Sequence, residues 1–215
     1  ARLVAIVSGA NMNFDRLGYV TDRAAIGSAS EALIAVDIPE KIGSFRTLIH
    51  CIGKRNITEV CTRFSDPVRG HVLLGLSLGS ADAKETVLDD LRKAGFGIMD
   101  LSNNELEKLH IRHLVGGNAP NIKNEKLYRF VFPEHPGALL NFIDAMHMDF
   151  NITLFQYRYH GADFGRVLVG IDVPKDKEDK FAAFLERVHL MGYPYVNETD
   201  NDAYRIFLGW HDGEK

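Results

Sequence analysis

Apolar and polar positions along the chain fall into two copies of one pattern. Leu33-Ile-Ala-Val-Asp-Ile38 is apolar-rich and of strand length, and the punctuated turn Pro39-Glu-Lys-Ile-Gly43 follows it. Phe45, Leu48, Ile49 and Ile52 then recur at helical spacing. Residues 56–64 and 71–78 read as two strands, with Gly70 marking the turn between them. Ser80 reads as the N-cap of a helix over 81–94 that Gly95 ends, and 98–101 reads as a last strand. The second copy begins with Leu127-Tyr-Arg-Phe-Val-Phe132 and the turn Pro133-Glu-His-Pro-Gly137. Leu139, Phe142, Ile143 and Met146 carry its helical spacing. Strands over 151–159 and 166–173, a turn at Gly165, a helix over 176–191 ended by Gly192, and a strand over 195–198 complete it.

The copies align residue by residue. Leu33 to Gly43 lies over Leu127 to Gly137, Asn56-Ile-Thr58 over Asn151-Ile-Thr153, and Gly70 to Gly75 over Gly165 to Gly170, with a slip of one residue. Two copies are too few for a solenoid, so a pair of like domains is expected. Strand-helix-strand-strand-helix-strand is the ferredoxin-like βαββαβ order, an antiparallel sheet with both helices on one face. The expected fold class is therefore α+β, with two such subdomains side by side. Pairing the sheets edge to edge would protect their edge strands. The expected boundaries are 31–115 for the first unit, 116–125 for a Gly/Pro-containing linker and 126–211 for the second. Ser102-Asn-Asn-Glu105 reads as a capping box that opens a short helix toward His113.

Residues 1–30 belong to neither copy. Leu3 to Val7 reads as a buried strand, Ser8-Gly9 as a turn, and a helix follows from about Asn13. One strand and one helix cannot bury a core, so this stretch reads as the end of a larger α/β domain with its connecting helix. Ser8 would stand at the C-terminal edge of a parallel sheet, where ligands bind in such folds, or serve as a plain turn serine.

Composition narrows the function classes. Hydrophobic residues make up 46% and charged residues 25%, ordinary for a soluble globular protein. A net charge of -4 without a basic stripe argues against nucleic acid as partner. No apolar run reaches bilayer length, and the N-terminus lacks the basic flank and cleavage site of a signal peptide. Two cysteines, Cys51 and Cys61, fit packing thiols in a reducing cytoplasm. His110 and His113 lack the further ligands a metal would want, so no metal site is expected.

Five segments resemble the C-terminal part of the biosynthetic threonine dehydratase (threonine ammonia-lyase) family. They are Val7 to Asn11, Pro39 to Phe45, Leu109 to Gly117, Phe132 to Leu139 and Asn151 to Arg158. The resemblance runs over essentially the whole chain. It implies two ACT-like modules that bind isoleucine as feedback inhibitor and valine as activator, within a tetramer. It also implies an N-terminal catalytic domain that holds pyridoxal phosphate and converts threonine to 2-oxobutanoate and ammonia. Ser8 would meet the pyridine nitrogen of that cofactor. The family's Schiff-base lysine motif does not occur in these residues, so the chain alone is expected neither to bind the cofactor nor to catalyse.

A branched-chain amino acid needs an apolar pocket, donors for its carboxylate and acceptors for its ammonium. The Pro-x-x-x-Gly turns before helices offer backbone N–H groups, and Gly43 and Gly137 permit close approach. On the strand from Asn151, alternation puts Phe155, Tyr157 and Tyr159 on one face and Arg158 on the other. The resemblance ties effector binding to Tyr157 and feedback control to Arg158 and Arg112. The chain departs from the family at Thr62-Arg63, where a Tyr-Arg pair is usual. The first site is then weakened, uses Thr62 differently, or is absent. Blander readings stand beside these: Tyr157 as a strand aromatic, the three arginines as solvated or paired surface charges, the glycines as turn residues. A free-standing amino-acid-binding module and a structural oligomerisation domain with degenerate sites are the alternative functions.

Overall fold

A computed structural model describes residues 31–78, 81–104, 117, 119, 122–133, 135–147, 149–158 and 164–208. Ser8, Ser80, His110, Arg112, His113 and Tyr159, and the helix expected after Ser102, lie outside the described residues.

The first copy forms β1 (Glu31–Pro39), α1 (Ser44–Ile52), β2 (Asn56–Arg63), β3 (Arg69–Ser77), α2 (Ala81–Lys93) and β4 (Gly97–Asp100). The second forms β5 (Glu125–Pro133), α3 (Ala138–Met146), β6 (Asn151–Arg158), β7 (Phe164–Asp172), α4 (Glu178–Leu190) and β8 (Tyr195–Asn197). The strands make one antiparallel sheet in the order β4-β1-β3-β2-β6-β7-β5-β8. The expected pair of βαββαβ units is therefore present, and the units join through the edge strands β2 and β6. At that seam Glu59 faces Arg158, Val60 faces Tyr157, Cys61 faces Gln156, Thr62 faces Phe155 and Arg63 faces Leu154.

Apolar periodicity explains the layering. Phe45, Leu48, Ile49 and Ile52 form the buried stripe of α1, and Phe142, Ile143 and Met146 that of α3. They join Val36, Leu74, Phe130, Val169 and residues of α2 and α4 in one core that runs through both units. The opposite face of the sheet carries a second cluster of Leu127, Leu154 and Tyr204. Tyr204 comes from α5 (Asp202–Phe207), which the apolar pattern did not predict. Its signal was the N-cap: the Asn201 side chain accepts a hydrogen bond from the Ala203 N–H.

Three further departures have local causes. Strands β2 and β6 each carry a register shift, between Ile57 and Glu59 and between Ile152 and Leu154. Thr58 and Thr153 are the extra residues, which is why Ile57 and Val60, three apart, both face the helices. The helix expected from 176 begins instead with a 3-10 turn, Lys175–Lys177, because Lys177 leaves helical geometry at φ -116 and ψ 11 before α4 starts. Strands β3 and β7 start earlier than expected because Pro39 pairs with Arg69, and Pro133 with Phe164.

Candidate functional site: two clefts across the seam

Gly43 and Gly137 precede α1 and α3 as N-caps, with φ of 90 and 91. Only glycine adopts such angles without strain. Neither supplies a side chain to the first N–H groups of its helix, and neither first turn holds an acidic residue. Helices α2 and α4, in contrast, open with Asp82 and with Glu178 and Asp179. The first N–H of each helix donates back into the turn, Ser44 to the Lys41 carbonyl at 3.1 Å and Ala138 to the His135 carbonyl at 3.2 Å, so the positive end each helix offers to an anion is carried by the next N–H groups of its first turn.

Each start borders a cleft between the units. The larger, roughly 460 Å³ of open space, lies between the start of α3 at Gly137 and the end of α1 at Gly53. Ile57, Phe132, Leu139 and Tyr157 supply its apolar wall. The smaller, roughly 280 Å³, lies between the start of α1 at Gly43 and the end of α3 at Met146. Phe45, Phe150, Asn151 and Ile152 line it. In both, the positive end of one helix meets the negative end of the other, a pairing suited to a zwitterion. Arg55 takes part of that negative end in the larger cleft, donating to the carbonyls of Cys51 and Ile52 at 3.1 and 3.0 Å.

The two helices also meet through side chains. Arg46 and His50 both reach Asp144, at 2.8 and 2.7 Å. Burial pushes the Asp144 carboxyl up, but the hydrogen bonds from His50 and Arg46 outweigh it and hold the group below the usual carboxylate range.

Residues read from the sequence divide between these places. Gly137 and Tyr157 share the larger cleft, and Gly43 and Asn151 the smaller. Asn151 shares a strand with Tyr157, but the crossed pairing at the seam puts it beside Gly43, where its amide donates to Glu40 at 2.9 Å. Burial raises the Glu40 carboxyl above its ordinary value against the pull of that hydrogen bond. Phe155 is fully buried on the helix side, its ring centroid 5.1 Å from that of Phe45. Thr62 gives its hydroxyl to the His71 carbonyl at 2.9 Å. Arg158 is half-buried on the face opposite Tyr157.

Arg63 lies in neither cleft. It is buried on the face of the sheet opposite α1 to α4, the side that Tyr204 of α5 covers, in an ion pair with Glu125. It also donates to the carbonyls of Gly117 and Leu208, both at 2.7 Å. Thr153 donates to the same carboxylate, and the Tyr204 hydroxyl does so at 2.7 Å. Burial, and then the charge of Glu125, raise the Tyr204 phenol well above its usual range. This network was missed in the sequence. Its only trace there is a repeated Glu-x-Leu, at Glu31 and Glu125, ahead of a repeated Asn-Ile-Thr; Thr58 donates to Glu31 as Thr153 does to Glu125.

The chain matches the model of a family described as the C-terminal regulatory domain of threonine dehydratase, over residues 22–111 and 116–208. It is 45% identical over 206 residues to the biosynthetic L-threonine dehydratase of Burkholderia multivorans, covering 96% of this chain and 40% of that protein. The counterpart in Escherichia coli is 43% identical over 209 residues, with the same coverage. The mitochondrial threonine dehydratase of Saccharomyces cerevisiae is 41% identical over 214 residues, covering 95% of this chain and 36% of that one. The chain thus spans about two-fifths of the length of these curated relatives.

Proposed function

Because the chain belongs to the family of C-terminal regulatory domains of threonine dehydratase, we propose that it senses branched-chain amino acids for a biosynthetic threonine dehydratase. Isoleucine acts as inhibitor and valine as activator. The observation that carries this reading is the larger cleft, which joins an uncapped helix start, an apolar wall and Tyr157. The N–H groups of the first turn of α3 beyond Ala138, whose own N–H donates to the His135 carbonyl, receive the effector carboxylate, and Gly137 lets it approach the backbone. The end of α1, whose Cys51 and Ile52 carbonyls also accept from Arg55, faces its ammonium. Ile57, Phe132 and Leu139 accept its side chain, and Tyr157 closes the site.

The names of its bacterial relatives extend the reading to a biosynthetic dehydratase of threonine; the family resemblance of the sequence adds isoleucine biosynthesis, 2-oxobutanoate and ammonia as products, a tetramer and a cytoplasmic location. Pyridoxal phosphate supplies the chemistry there. In this chain the resemblance ties Ser8 to that cofactor, and Ser8 lies outside the described residues. Residues 1–30 are the proposed connection to the catalytic domain, and Arg112 and Arg158 the proposed modulators of feedback. Regulation requires only that effector bind one quaternary state more tightly than another.

Isothermal titration tests the reading. Isoleucine and valine are expected to bind saturably and threonine weakly. Tyr157→Phe is expected to weaken isoleucine binding roughly three- to tenfold, the worth of one hydrogen bond. Absence of saturable isoleucine and valine binding in a folded sample overturns it.

A further inference from the structure

The two clefts are related by the repeat, yet their apolar walls differ, and the difference begins at the seam. On the helix side, Val60 lies opposite Tyr157 and Thr62 opposite Phe155. The repeat exchanges Asn56 with Asn151, and with them Val60 with Phe155 and Thr62 with Tyr157. Each cross-strand pair therefore joins a small side chain to a large one, and both large ones come from β6. A symmetric seam would give each cleft one of each.

The asymmetry reaches the clefts directly. Beside the larger one stand the Tyr157 ring, small Val60 as its partner, and Leu139. At the equivalent place in the smaller one, Thr62 turns its hydroxyl to the His71 carbonyl and supplies no ring. Phe155 stands where the other copy has Val60, and Phe45 where it has Leu139. Their rings touch, 5.1 Å between centroids and tilted by 34°. Phe155 is fully buried and Phe45 nearly so. The chain's own aromatic pair thus holds, at the smaller cleft, the positions that Val60 and Leu139 hold at the larger, with Phe45 in the cleft wall and Phe155 packed behind it. The polar ends do not differ in kind, since each cleft has a glycine-capped helix start facing the end of the other helix.

We infer that Phe155, packed on Phe45, closes the smaller cleft to branched α-amino acids, so that each chain carries one effector site, at Tyr157. The inference rests on the sensor reading above and adds to it the residue that sets the number of sites. To admit a branched side chain, Phe155 would have to leave a well-packed position, and displacement of that kind opposes binding.

The test is the stoichiometry of isoleucine titrated into the full chain and two variants, each checked by circular dichroism and thermal unfolding. The unmodified chain is expected to bind about one equivalent. Tyr157→Thr is expected to bind none, because no second site stands behind the first. The exchange Thr62→Tyr with Phe155→Val recreates the Tyr157–Val60 pair at the smaller cleft and is expected to raise the count to about two. Two equivalents in the unmodified chain, or one remaining after Tyr157→Thr, overturn the inference while leaving the sensor reading intact; neither result requires the double variant to fold. A folded exchange variant that stays at one equivalent also overturns it. No binding in the unmodified chain overturns the sensor reading itself, and the inference with it.

Discussion

Arg63 and Thr62 are adjacent in sequence and do opposite things. Alternation along β2 sends Thr62 toward the helices and Arg63 to the far face. There the guanidinium ties β2 of one unit to Glu125 of the other and to the backbone at Gly117 and Leu208. A buried pair of this kind holds only while its remaining donors and acceptors are met, and Tyr204 meets one of them. Tyr204→Phe is expected to cost roughly 1.5–3 kcal/mol near neutral pH, the range for a hydrogen bond to a charged group. The pH dependence has a definite sign. The folded phenol titrates above its ordinary value, so its contribution is complete below pH about 10, where an unfolded tyrosine ionises, and is lost as pH rises beyond that. Urea melts of both proteins at neutral pH and above pH 10 should therefore show the gap narrowing on the alkaline side. A gap that stays constant would mean Tyr204 is not held protonated by this network. The alternation read in the sequence for Tyr157 and Arg158 holds at Thr62 and Arg63 as well. The partner of Arg63 was not legible there, because Glu125 opens β5 two residues ahead of the strand expected from Leu127, and nothing local links the two positions.

Elements were more legible than the residues they carry. The helices and strands of the repeat follow from apolar spacing and from the glycines that end or begin them, since those signals are local. The bulges at Thr58 and Thr153 broke the strict period of two, and only cross-strand pairing reveals an extra residue. Helix α5 was too short for a period and showed only its cap. Among the legible elements, the starts of α1 and α3 bear most on function, and they depend on glycine backbone. At Gly137 the φ of 91 lies in the left-handed region. An added Cβ there would meet little, its nearest neighbour being Lys54 Cγ at 3.6 Å. The penalty for Gly137→Ala is thus conformational, about 1–2 kcal/mol, rather than steric. Denaturant titration is expected to show that loss with an unchanged slope. A neutral or stabilising result would mean the turn relaxes to a negative φ, and the backbone approach proposed for the effector carboxylate would fall with it.

At the scale of the whole molecule, what matters is that neither cleft belongs to one unit. The pairing of β2 with β6 brings the end of α1 to the start of α3, and the end of α3 to the start of α1. The sequence shows both units and the strands that could pair, but the distance between Asn56 and Gly137 along the chain hides that they border one space. A unit that held its own complete site would bind effector by itself. Here the second unit contains Gly137, Leu139 and Tyr157, while Gly53, Arg55, Asn56 and Ile57 come from the first. Separation would also leave β6 an exposed edge beside a core that both units share. A polypeptide of residues 116–208 is accordingly expected to show no saturable isoleucine binding by titration calorimetry, and mixing it with residues 22–111 to restore binding with an affinity that depends on the concentration of the two pieces. Full binding by the second piece alone would mean that the apolar wall and Tyr157 suffice, and that the facing helix end contributes nothing to recognition. Restoration by the mixture would instead make the seam itself part of the sensor. Any change in how β2 meets β6 would then alter effector affinity, and bound effector would in turn stabilise that junction by the same free energy.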